Sequence, residues 1–137
     1  MPPQVFHQSP TAESMEDLVK AWRGRTFPVG PSRKVTFAIC GEINGFNPDG
    51  SAKNGREREL PFDILANPAH YIMGRWQHLG RKLSALSKGK VVIHVANNDR
   101  NHKNLTTDVR IYIDGRFPDD KVRCSGTLNL KWCECEI

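Results

Sequence analysis

A chain of 137 residues, 38% hydrophobic and 26% charged, is long enough to bury one core and too short for two domains. Its net charge of +5 permits an anionic partner, yet Lys and Arg are interspersed with Asp and Glu, which makes nucleic acid the least favoured class of partner. No apolar run reaches the ~20 residues of a membrane span, and Met1-Pro2-Pro3-Gln4 lacks the layout of a secretory leader. A cytoplasmic protein is therefore expected, with Cys40, Cys124, Cys133 and Cys135 as reduced thiols.

Residues 1–33 read as an extended lead-in containing one short helix. Three prolines and little periodicity mark its first 14 residues. Met15, Leu18, Val19 and Trp22 then recur at helical spacing, and Ser14 is suited to cap a helix over 14–23. Pro28-Val29-Gly30-Pro31 ends it. Residues 34–137 read as one α/β domain.

In that domain Lys34 to Cys40 alternates as a strand, with Val35, Phe37 and Ile39 on one face and Cys40 at its C-terminal end. Gly41 to Glu59 is rich in Gly, Asn, Asp and Lys and reads as a long polar loop. A strand over Phe62–Asn67 follows. Trp76, Leu79, Leu83 and Leu86 predict a helix over 75–88, and the unbroken Val91-Val92-Ile93 run in Lys90–Ala96 predicts a strand covered on both faces. Thr107–Asp114 and Val122–Trp132, linked through Asp114-Gly115 and Pro118-Asp119-Asp120, read as a terminal antiparallel hairpin.

A thiol at the end of a buried strand, followed by glycine, suits covalent catalysis. The strand fixes the sulfur, and Gly41 lets backbone N–H groups approach a developing oxyanion. The competing reading makes Cys40 a small core hydrophobe. Val35-Thr36-Phe37-Ala38-Ile39-Cys40-Gly41-Glu42 resembles the nucleophile strand of the carbon-nitrogen hydrolase (nitrilase and amidase) superfamily. Phe62 to Pro68, Trp76 to Leu86 and Val91 to Asn98 resemble the strand, helix and strand that follow it, so the similarity covers about residues 34–115.

The resemblance implies a partial αββα sandwich with a mixed central sheet and helices on at least one face. It implies hydrolysis of a nonpeptide C–N bond, in an amide or nitrile, through a covalent intermediate on Cys40. Gly41, Glu42, Asn67, His70 and Asn97 become substrate-binding candidates, and Glu16 the candidate for the family's second glutamate. Neither the base Glu nor the Lys of the family is identifiable; Phe6 to Thr11 holds no lysine where one is expected, and the loop after Glu42 lacks the family's helix.

The alternative is a noncatalytic, truncated or degenerate binding or assembly module. Either way a homo-oligomer, or a partner chain supplying the missing elements, is expected. No cofactor or metal is expected, since Cys124, Cys133 and Cys135 lack paired Cys-x-x-Cys spacing, and His94, inside an apolar strand, reads as a satisfied core histidine.

Overall fold

The computed structural model describes residues 1–7, 10–56, 62–69, 76–96, 108–118, 120–126 and 131–137. Helix α1 (Ala12–Gly24) begins earlier than its apolar stripe indicates. The Thr11 hydroxyl accepts from the Ser14 N–H at 3.1 Å and the Ser14 hydroxyl accepts from the Thr11 N–H at 2.7 Å. This reciprocal box satisfies two donors that a helix start leaves open. Ser14, expected as the cap, is the third helical residue; the stripe itself holds, with Met15, Leu18, Val19 and Trp22 buried.

Five strands form one mixed sheet in the order β1 (Thr26–Val29), β2 (Arg33–Phe37), β3 (Ile64–Ala69), β4 (Val91–Ala96), β5 (Asp108–Ile113). The pairs β2–β3 and β3–β4 are parallel, and the two outer pairs antiparallel. A parallel neighbour needs a long crossover, and α2 (Trp76–Leu86) supplies it between β3 and β4. Pro68 is tolerated within β3 because β2 pairs only with Ile64, Leu65 and Ala66.

Alternation splits the core in two. Leu65 and Val92 join Leu18, Trp22, Phe46, Phe62, Leu79, Leu83 and Leu86 on the helical face. Ile64, Val91 and Ile111 lie on the other, against Val122, Cys133 and Cys135. β4 is covered on both faces as its apolar run predicts, except at exposed Val95. The structure is thus mixed α/β, with helices on one face of a mixed sheet. No helix among the described residues is long and apolar enough to cross a membrane.

Two expectations are corrected at the C-terminal end. β5 pairs with β4 and not with the segment after it; the hairpin is instead β6 (Val122–Gly126) with β7 (Lys131–Cys135), a separate two-stranded sheet. Asp114-Gly115 does reverse the chain, with φ of 47° and 79°, but only to bond Ile113 to Arg116. Alternation marks a strand and leaves its partner open, so the nearest strand in sequence was not the one chosen. Cys124 and Cys133 face each other in the β6–β7 register and form a disulfide, so they are not reduced thiols; Cys40 and Cys135 are free.

Candidate functional site

The expected strand to Cys40 stops at Phe37. Ala38 donates one more bond to Ala66, and the chain then lifts away and turns into a 3-10 helix over Cys40–Gly45. The segment read as a polar loop therefore opens with a helical turn in which Cys40, Gly41, Glu42, Ile43 and Gly45 are buried. Cys40 occupies its first position with φ of +48°. Among the described non-glycine residues Asp114 alone shares a positive φ, and Asp tolerates that region where other side chains crowd the backbone.

Three contacts hold Cys40 in this conformation. The Asn67 amide donates to the Ala38 carbonyl at 2.6 Å and to the Cys40 carbonyl at 3.1 Å, pinning the chain on both sides of the bend. Glu42 accepts from the Ile39 N–H at 2.8 Å and closes the turn from within. Gly41 lies so close to the lead-in that a Cβ there would sit 1.6 Å from the His7 carbonyl oxygen. A conformation that local geometry disfavours persists only when neighbours over-determine it, as they do here.

Glu42 and Arg25 form an ion pair with both side chains at 0% exposure. Arg25 Nη1 donates to Glu42 Oε2 at 2.6 Å and Nη2 to Oε1 at 3.1 Å, a bidentate fork suited to planar guanidinium. Oε1 also accepts from the Val5 N–H at 2.7 Å. Arg25 donates further to the Pro2 and Pro3 carbonyls. Residues 2–7 thus run as a strap over the turn, anchored by Phe6 in the core.

Comparison with family models, with curated proteins and with solved structures finds no match. The geometry therefore has to carry the reading alone. Cys40, Gly41, Glu42 and Asn67 come together around one bend. Glu42 and Asn67, however, spend their polar atoms on the protein: Glu42 on Arg25 and two N–H groups, Asn67 on two carbonyls and on His94, whose Nδ1 lies 2.8 Å from Asn67 Oδ1. Glu16 sits on the outer face of α1, paired with Arg56, away from the bend. His70 and Asn97 lie outside the described residues. His94 is buried in the core with a partner, as read from the sequence.

Two residues near the turn escaped the sequence reading. Arg25 sits in the polar run Arg23-Gly24-Arg25-Thr26, which reads as a solvated helix end; nothing local announces that it is buried. Lys82 on α2 reaches Asn44 of the 3-10 helix at 3.4 Å, and burial, with Lys53 as a second cause, pulls its pKa down from 10.5 to about 8. Its place in the apolar-rich α2 is the one available signal. No group of three or more His, Cys, Asp or Glu side chains among the described residues is placed to hold a metal ion.

Proposed function

We propose that this chain is a cysteine hydrolase domain of the carbon-nitrogen hydrolase type, with Cys40 as the nucleophile of a strand-to-helix elbow and a partial nitrilase-like sandwich as its frame. The observation that carries the reading is the positive φ of Cys40 at the junction between a parallel strand and a helical turn. That bend is the device by which other hydrolases lift a nucleophile out of the sheet, and a glycine beside it allows close backbone approach.

The chemistry follows from the sulfur. Cys40 adds to an amide carbonyl, the C–N bond breaks, and the amine departs with a proton to leave a thioester; water then cleaves the C–S bond and restores the thiol. With a nitrile, addition gives a thioimidate. N–H groups at the start of the 3-10 helix have no acceptor within it and supply oxyanion donors. Glu42 is committed to Arg25 and serves as a positioning residue; Asn97 and His70 remain candidates for substrate contact.

A second reading is favoured by one specific observation: the strap leaves Cys40 only 9% exposed. It makes the chain a noncatalytic binding or assembly module. The open edge at β1, with Phe27 and Val29 exposed, would suit a partner chain or a second copy. Limiting iodoacetamide at neutral pH, followed by peptide mapping, separates the two. Faster alkylation of Cys40 than of Cys135 in the folded chain is expected for the enzyme. Labelling of Cys40 only in denaturant would end that reading and leave the module.

A further inference from the structure

A histidine is the least expected residue in the apolar run of β4. His94 is 1% exposed and shares the helical face with Val92 and Ala96, both at 0%. In the parallel register it lies directly opposite Asn67, also 1% exposed. Both stand toward the C-terminal ends of their strands, the end of the sheet at which the chain leaves β2 for the Cys40 bend. Open α/β sheets place their sites at that end. Asn67 Nδ2 has two hydrogens and both are committed, one to the Ala38 carbonyl at 2.6 Å and one to the Cys40 carbonyl at 3.1 Å. Oδ1 is left as an acceptor, 2.8 Å from His94 Nδ1. That nitrogen therefore carries a proton, whatever the state of Nε2.

We propose that His94 is a positioning residue for Cys40, acting through Asn67: its Nδ1–H sets the direction of the amide, and the amide holds the bend. The inference deepens the hydrolase reading and rests on it for the role of Cys40. The order of control follows from the donors. With the proton on Nε2 alone, the Nδ1 lone pair would face the lone pairs of Oδ1, and the amide would turn over to offer its NH2 to the imidazole. Oδ1 would then meet the Ala38 and Cys40 carbonyl oxygens, and both pins would become repulsions. A half-satisfied buried network is worse than an apolar one, so the direction of this amide is set at its imidazole end. Glu42 grips the same bend through the Ile39 N–H, so Cys40 is held from the strap side and from the sheet side by separate contacts.

The test uses the full, isotope-labelled chain. A long-range proton–nitrogen correlation spectrum of the neutral imidazoles reports which ring nitrogen carries the hydrogen. His94 is expected in the Nδ1–H form; the Nε2–H form overturns the proposal, whether or not any variant folds. His94→Leu removes the donor, and His94→Asn returns an amide N–H near the place of Nδ1. Exchange of the Asn67 side-chain amide and of the Glu42 N–H, which closes the first 3-10 turn on Ile39, should quicken about tenfold in His94→Leu, the scale of one lost hydrogen bond. Both should return toward the parent rate in His94→Asn, with the Val92 amide unchanged throughout. Acceleration at Val92 in step with Glu42, or no recovery in His94→Asn, assigns His94 to the core alone and overturns the positioning role. Slow alkylation of Cys40 in the parent chain, with His94 in the Nδ1–H form, strikes the hydrolase reading and leaves the relay. Rapid alkylation with His94 in the Nε2–H form strikes the relay alone.

Discussion

At the scale of the residue, the Arg25–Glu42 pair decides whether the bend around Cys40 exists. A buried ion pair is weak support for stability in general, because desolvation offsets the attraction and apolar replacements often do as well. Here replacement of both partners would fail. It would strip acceptors from the Val5 and Ile39 N–H groups and donors from the Pro2 and Pro3 carbonyls, each loss costing about 1–3 kcal/mol where water cannot substitute. Glu42→Gln is the sharper probe because it keeps the shape. Each Glu42 oxygen faces an Arg25 nitrogen and a backbone N–H, so either orientation of the amide sets an NH2 against two donors. The expected loss is about 3–5 kcal/mol, the usual consequence of leaving a buried charge unpaired. Urea denaturation followed by far-ultraviolet dichroism measures it; a loss under about 1 kcal/mol, the scale of a solvated pair, would show that water reaches Arg25.

At the scale of the element, the strap and the 3-10 helix are one unit, and Gly41 is where they meet. A β-carbon at Gly41 would overlap the His7 backbone, which no side-chain rotation relieves. Gly41 is absent from the positive-φ glycines, so alanine suits its own backbone and the strain falls on the contact. Gly41→Ala should therefore release residues 2–7. Amide exchange at Val5, whose N–H bonds to Glu42, should accelerate, and alkylation of Cys40 should rise with it. If exchange accelerates instead at Glu42 and Phe46, whose N–H groups close the 3-10 turns, the strap is the stiffer partner and does not act as a cover. The same unit shows what the sequence could and could not reveal. The α2 stripe of Leu79, Leu83 and Leu86 and the apolar run of β4 each carry their own period, so both elements were legible within a few residues. The 3-10 helix was not, because Gly41, Glu42, Asn44 and Gly45 in that stretch resemble solvent-exposed loop. Its burial is imposed by Arg25, 17 positions upstream, and by a strap lying over Gly41, neither of which leaves a local mark. Cys40 and Asn67 stood out in the sequence as the ends of apolar runs, although β2 stops at Phe37 and β3 continues past Asn67 to Ala69. That Asn67 would be spent on the Cys40 carbonyl depends on the parallel β2–β3 register, which alternation alone does not specify.

At the scale of the whole molecule, the two faces of the sheet are covered by very different means. The helical face holds a continuous cluster in which Trp22 lies 5.3 Å from Phe46 and 6.3 Å from Phe62 between ring centroids. The opposite face depends on a two-stranded hairpin, an element marginal in water by itself. What secures it is the Cys124–Cys133 bond, which closes a loop of sequence separation 9, and the contact of Val122, Cys133 and Cys135 with Ile64, Val91 and Ile111. A loop of that length contributes on the order of 2–3 kcal/mol in the chain-entropy account. Dithiothreitol should therefore loosen β6 and β7 before the rest. Exchange at the amides of those two strands should quicken and binding of a hydrophobic dye should rise, as Ile64, Val91 and Ile111 become wet. The amides of Leu65 and Val92, whose side chains point into the helical cluster, should keep their protection. Loss of protection at Leu65 and Val92 in step with the hairpin would mean that the sheet cannot stand on its helical face alone, and that both covers belong to one cooperative unit.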